Sequence, residues 1–215
     1  MDDPVLFGAT YSVYTRIVRL VLLEKAVQYR FEEVDIFDPS GPPASYLQLH
    51  PFGRIPALRH EQFELYEAVA ISRYVDDCFP GIQLQPAGAR GRARVAQIVS
   101  ILDSYAYRPM VWDTFVERVR KPQRNESSDE QKIEAAVARS KLCLDVLQRL
   151  MGEDQWLVGD ELSLADLHAA PMIAYFAAAP EGAAALARHP RLLTWWDQIS
   201  MRVSMRSTTS PLINR

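Results

Sequence analysis

Apolar positions in the first eighty residues fall into short runs of two different periods. Val5-Leu6-Phe7, ended by Gly8, is a continuous apolar run of strand length. From Thr15 to Lys25, Val18, Val21 and Leu22 recur at helical spacing with Ile17 and Leu20 beside them, so a helix follows the strand. Phe31 to Ile36 sets Val34 and Ile36 on one face and Glu33 and Asp35 on the other, which predicts a second strand, although Glu32 breaks the alternation. Ile55 to Arg59 and Phe63 to Leu65 are extended runs joined by a few polar residues, the pattern of a hairpin. Ala68, Ile71 and Val75 then lie on one stripe of a helix, with Tyr74 and Cys78 beside it. A Pro-rich segment with room for a short helix separates the second and third strands, so the predicted order is β, α, β, short helix, β, β, α.

After Pro86 the pattern is helical throughout. Arg90 to Arg118 and Asp129 to Met151 each keep helical periodicity, separated by the polar stretch Lys121 to Ser128, which predicts a surface loop. Ser163-Leu164-Ala165-Asp166 fits a capping box, in which the Ser side chain accepts from an amide three residues on and Asp166 reaches back. Ala169 to Ala179 is strongly apolar but about half the roughly 20 residues that span a bilayer, so it predicts a buried core helix. A last helix is expected over Pro190 to Arg202, followed by a Ser/Thr-rich tail after Met205 with little to order it. The change of texture divides the chain into two domains, 1–80 and 90–215, with a linker over 81–89.

With 48% hydrophobic and 24% charged residues, the 215-residue chain has an ordinary globular composition. Acidic Asp2 and Asp3 stand where a secretory signal carries positive charge, and no apolar run follows, so a cytoplasmic protein is expected. Cys78 and Cys143 form no CxxC or His/Cys cluster, which argues against a disulfide framework and a metal site and predicts reduced thiols. A net charge of −3 gives no electrostatic footprint for nucleic acid. The clusters Arg90/Arg92/Arg94 and Arg118/Arg120/Lys121/Arg124 therefore read as solvated helix faces or subunit contacts, and His168 as a satisfied core histidine.

Four segments in order carry a resemblance. Gly8-Ala9-Thr10-Tyr11-Ser12-Val13-Tyr14-Thr15 leads into the first helix. His50-Pro51-Phe52-Gly53-Arg54-Ile55-Pro56-Ala57-Leu58 precedes and enters the third strand. Leu65-Tyr66-Glu67-Ala68-Val69-Ala70-Ile71-Ser72-Arg73-Tyr74 joins the fourth strand to its helix, and Trp156 to Asp166 marks the second domain. Together they resemble the glutathione transferase superfamily, and within it a bacterial serine-type (phi/theta-like) member. The resemblance implies an α/β thioredoxin-like N-terminal domain, an all-α C-terminal domain, glutathione as cosubstrate, no metal and a homodimer, with Phe52 and the arginines at 90 to 94 as contacts.

It also implies roles for particular residues. The thiolate rather than the thiol is the nucleophile, and a hydrogen-bond donor at a helix amino end favours the charged sulfur. Ser12 matches the family's serine, with Tyr11 and Tyr14 as alternatives; from spacing alone Ser12 reads first as a plain N-cap, and the resemblance reverses that order. Arg54, Ile55, Pro56, Glu67 and Ala68 match the glutathione-binding positions, with Ile55-Pro56 where the family keeps a cis proline and Glu67 for the γ-glutamyl ammonium. Two departures stand out: Ala68 replaces a Ser or Thr, and Gly41-Pro42-Pro43 lies where relatives carry His or Lys, leaving Arg54 to supply that charge. Tyr11, Tyr14, Tyr105, Arg108, Met110, Trp112 and Phe115 are the expected pocket for a small hydrophobic electrophile or peroxide, although aromatic and Met residues on a long helix are more often core than pocket. A non-catalytic binding or scaffolding protein of the same fold is the alternative. A disulfide oxidoreductase is set aside because Tyr11-Ser12-Val13-Tyr14 holds no cysteine.

Overall fold

The computed structural model describes residues 2–213, and the chain divides into two compact units. The first runs to Gln83 and takes in the chain again from Val203; the second is Leu84–Arg202. The first unit is built on β1 (Val5–Gly8), α1 (Val13–Glu24), β2 (Arg30–Glu33), α2 (Ala44–Leu49), β3 (Ala57–His60), β4 (Phe63–Tyr66) and α3 (Ala68–Cys78). Its sheet has the order β2-β1-β3-β4, with β1 and β2 parallel and the other two pairings antiparallel. The register sets Leu6 opposite Phe31 and Leu58, and Ala57 opposite Tyr66. This is a thioredoxin-like domain.

Two element boundaries differ from the sequence pattern for identifiable reasons. The strand expected over Phe31 to Ile36 ends at Glu33, because the Asp35 carboxylate turns back to accept the Phe37 amide at 2.9 Å and the Tyr11 hydroxyl at 2.7 Å. The third strand begins at Ala57 rather than Ile55; Pro56 has no N–H to give to a ladder. At the end of β1 a Cβ on Gly8 would collide with the Thr15 side chain, so glycine lets the first turn of α1 lie against the strand.

The tail was expected to lack order, and the structure corrects this. A short helix, α10 (Val203–Ser207), packs on α1, and Thr208 and Ser210 are buried. The buried Arg16 guanidinium donates to the Met205 carbonyl at 2.9 Å and to Thr208 Oγ1 at 3.3 Å, while Ser204 donates to Glu24. Charge-assisted bonds of this kind supply what the polar composition of the tail does not show. Also in this unit, Lys25 and Asp76 form a fully buried ion pair at 3.1 Å, and Lys25 Nζ donates further to the Asp76 and Ile82 carbonyls. Such a pair persists because its remaining hydrogen-bonding capacity is filled.

The second unit is helical: α4 (Ala89–Ile101), two π-helical runs at Leu102–Ala106 and Arg108–Arg120, α5 (Lys121–Gln123), α6 (Glu130–Met151), α7 (Leu164–Ala177), α8 (Pro180–Leu186) and α9 (Pro190–Ser200). The single helix expected over Arg90 to Arg118 thus widens from Leu102, where Tyr107 N–H bonds back five residues to the Leu102 carbonyl. Pro109 removes a donor from the α-helical ladder in that stretch. Asp129 caps α6 by accepting from the Lys132 amide at 3.0 Å. Ser163 and Asp166 form the expected capping box at α7, and the buried Asp166 carboxylate also accepts from the Leu157 amide and Trp195 Nε1, each at 2.8 Å. Burial pushes this carboxyl up while those donors oppose the shift. Helix α7 is buried from Leu164 to Phe176, and His168, itself buried, bonds to Asp103 at 2.8 Å. Cys143 is buried and Cys78 half-buried, both as free thiols.

Candidate active site

The N-terminal unit brings together the ends of β1 and β4 and the start of β3 with the starts of α1 and α3. Ser12 is the N-cap of α1: its backbone is extended, its amide donates to the Ala9 carbonyl at 3.0 Å, and its Oγ accepts from the Thr15 amide at 3.2 Å. A hydroxyl has one proton to give and two lone pairs to receive. Capping uses a lone pair, so the Ser12 proton stays available at the positive end of the α1 dipole. The N-cap reading and the chemical reading of Ser12 are therefore compatible.

Tyr11 is placed differently. Its hydroxyl donates to Asp35 and its ring lies 5.6 Å from that of Phe37. Burial, followed by the Asp35 hydrogen bond and charge, pushes the Tyr11 phenol well above its ordinary range. Its proton is thus directed to a carboxylate of the β2–α2 connection. The neighbouring Thr10 amide is tied to Glu33 at 3.2 Å, so the two residues before Ser12 are anchored to the end of β2 and to the connection after it. Tyr14 is half-buried on the first turn of α1.

Ile55-Pro56 is a cis peptide, and both residues are buried. Among the described residues the Ile55 backbone makes no hydrogen bond, which leaves its N–H and C=O for a bound chain. The carbonyl just before it, that of Arg54, accepts the Tyr46 hydroxyl at 2.5 Å, and the Arg54 side chain is exposed. Glu67 has a φ of 72° and ψ of 116° at the N-cap of α3, with its side chain exposed and not capping the helix. A left-handed φ at a non-glycine residue costs about 1–3 kcal/mol and is concentrated at functional sites. Ala68 is buried at the first position of α3.

The five expected pocket positions of the second unit separate by burial. Met110 and Phe115 are fully buried, Phe115 edge-on to Tyr175 at 4.6 Å, which places them in the helical core. Tyr105 is 67% exposed, Trp112 lies at the surface with Nε1 donating to the Tyr107 hydroxyl, and Arg108 pairs with Asp113 at 3.0 Å.

Two family models cover most of the chain: glutathione S-transferase, N-terminal domain, over residues 6–83, and glutathione S-transferase, C-terminal domain, over residues 104–202. The chain belongs to the glutathione S-transferase family. It is similar to glutathione S-transferase F7 of Arabidopsis thaliana, with 29% identity over 94% of this chain and 96% of that one. It is also similar to glutathione S-transferase 3 of Zea mays, with 27% identity over 96% and 93%. Among solved structures, glutathione transferase F7 from Populus trichocarpa superimposes with a TM-score of 0.83 at 27% identity, covering 99% of this chain and all of that one.

Within the glutathione S-transferase fold, several contacts around the site gave no signal in the sequence. The Tyr11–Asp35 bond, the Tyr46–Arg54 carbonyl bond and the backbone of Glu67 depend on chain segments brought together only by folding. His50 stood out only as part of a matching motif, yet its buried ring lies 4.6 Å from that of Tyr66, next to Glu67. Among the described residues no group of three or more His, Cys, Asp or Glu is arranged to hold a metal ion, and no helix is long and apolar enough to cross a membrane.

Proposed function

We propose that this family member binds glutathione in its N-terminal unit and that the Ser12 hydroxyl donates to the sulfur, holding it as thiolate for attack on a small hydrophobic electrophile or a peroxide. The observation that carries the reading is the Ser12 geometry: Oγ spends a lone pair on the Thr15 amide and keeps its proton at the amino end of α1. Glutathione supplies the nucleophilic sulfur, and the chain supplies its position and ionisation. The Ile55 N–H and C=O suit the cysteinyl backbone, as in a short antiparallel ladder. The exposed Glu67 carboxylate suits the γ-glutamyl ammonium, and the first amides of α3, Ala68 included, suit the neighbouring carboxylate. Arg54 is the cation we assign to the glycyl carboxylate.

The motifs favour a serine-type, phi/theta-like member. Tyr105, Arg108 and Trp112 are the residues of the helical unit we assign to the second substrate, while the burial of Met110 and Phe115 supports a packing role for those two. We also infer a cytoplasmic homodimer, for which the 70% exposure of the Phe52 ring is the supporting feature. Ala68 and the absence of a cation in Gly41-Pro42-Pro43 favour one second reading, a non-catalytic binding protein of the same fold.

Calorimetric titration with glutathione separates these readings. The expected result is saturable binding by the wild-type protein that weakens in Glu67→Gln, together with conjugation of a chromogenic electrophile. Binding without turnover on any electrophile or peroxide leaves the second reading, and no binding at millimolar glutathione overturns the enzyme reading and leaves the fold with another binding role.

A further inference from the structure

The face of the N-terminal sheet that carries α2 holds a ring cluster for which thiol activation has no use. Phe7 of β1 lies 6.2 Å from Tyr46, Tyr46 lies 6.2 Å from His50, and His50 lies 4.6 Å from Tyr66 with the rings tilted by 32°. Phe52 closes the group, edge-on to both His50 and Tyr66. His50 is the C-cap of α2. Its amide donates to the Tyr46 carbonyl at 2.8 Å, and its carbonyl accepts from the Gly53 amide at 2.9 Å. The residue is 2% exposed, and its Nδ1 is buried without a hydrogen-bond partner among the described residues.

Tyr46 and His50, one helical turn apart, therefore brace two segments assigned above to glutathione. Tyr46 holds the Arg54 carbonyl just before Ile55-Pro56, and the His50 ring holds Tyr66 just before Glu67. We propose that His50 is a positioning residue for glutathione, its neutral ring fixing the Tyr66–Glu67 turn, and that protonating this ring loosens glutathione binding. The inference rests on the reading that Ile55 and Glu67 meet glutathione.

The chemistry follows from the surroundings of the ring. A neutral imidazole can leave one nitrogen as an unpaired acceptor at modest cost. An imidazolium turns both nitrogens into donors, and a buried N–H with no acceptor, carrying charge, is far more costly. Movement of the ring toward water relieves that cost and gives up the contact with Tyr66. The charged and titratable groups facing the ring are Glu67 after β4, Arg54 in the loop before β3, Tyr46 on α2 and Tyr66 on β4. Burial is the largest influence and pushes the imidazole below its ordinary value; Glu67 and a hydrogen bond to the residue's own backbone oppose this, and Arg54 adds to it. The Tyr46 hydroxyl is already given to the Arg54 carbonyl. The sign is fixed accordingly: the brace is intact at neutral pH and is lost as pH falls below the ordinary imidazole range.

The test is glutathione affinity by calorimetry from about pH 7 down to about pH 5, where imidazole is the only ordinary side chain to change charge. The proteins are wild type, His50→Phe, which keeps a ring without titrating, and His50→Asn, which cannot titrate and covers the case in which the Phe variant fails to fold. The expected result is wild-type binding that weakens about three- to ten-fold toward acid, the scale of a lost ring contact. The His50→Phe profile stays flat near the neutral wild-type affinity, and that of His50→Asn stays flat at a weaker one. A flat wild-type profile, or the same acid weakening in the variants, overturns the inference and leaves the glutathione reading standing. Absence of binding by the wild type at every pH removes both.

Discussion

Ser12 Oγ accepts the Thr15 amide at 3.2 Å, so one side chain both caps α1 and keeps a proton for a ligand. The two duties separate by substitution. Ser12→Asp keeps the capping acceptor but has no proton to give when ionised, whereas Ser12→Ala loses both. Urea denaturation should show Ser12→Asp near wild-type stability and Ser12→Ala lower by about 1 kcal/mol, the usual worth of such a cap. Conjugating activity should fall in both, by about 10²-fold or more, the scale of losing one donor to a developing negative charge. Activity retained in Ser12→Asp removes the donor role.

The Tyr11 phenol gives its proton to Asp35, which favours Ser12 over Tyr11 as the proposed donor to the sulfur. Tyr11→Phe should leave the ionisation of bound glutathione where it is in the wild type. It should lower stability by about 0.5–1.5 kcal/mol, the ordinary net worth of a hydrogen bond. A Tyr11→Phe protein of normal stability whose bound thiol returns to its solution value would transfer the role from Ser12 to Tyr11.

Ala68 presents only its amide at the start of α3. Ala68→Ser adds a hydroxyl where the proposed γ-glutamyl carboxylate lies, and calorimetry should show glutathione bound about 3- to 10-fold more tightly, the equivalent of one added hydrogen bond. Unchanged affinity would place that carboxylate elsewhere.

Much of the fold was legible in the sequence because the N-terminal elements switch between strand and helix periods at glycine and proline, and because Ser163 and Asp166 announce a helix start. Where the pattern misled, a specific contact outweighed it. Asp35 leaves the strand alternation to hold Tyr11 and the Phe37 amide, and Arg16 orders a tail whose composition is polar. The site was legible as a set of motif positions, but not as geometry. No spacing rule gives Glu67 its left-handed backbone or puts the His50 ring beside Tyr66, since both depend on α2 and β4 meeting across the fold.

Glu117 connects the helical unit to pH. Burial alone would raise its carboxyl, but hydrogen bonds from Lys121 and Lys132 and from the Asp129 amide outweigh burial and hold it down at about 2. Its stabilising effect is therefore complete above the ordinary carboxylate value of about 4.3 and is lost as pH falls through about 2. Wild-type stability, measured by urea midpoints, should decline over that window more steeply than in Glu117→Gln. Parallel profiles would show that the Lys121 and Lys132 contacts do not persist in solution.

Thiolate absorbance in the ultraviolet over a pH series shows whether the N-terminal unit holds glutathione as a thiolate through Ser12. Glutathione bound to the wild-type protein should ionise well below the value of about 8.5 for a free thiol, and in Ser12→Ala it should return toward that value while still bound. A bound thiol that ionises alike in both proteins would contradict that role for Ser12.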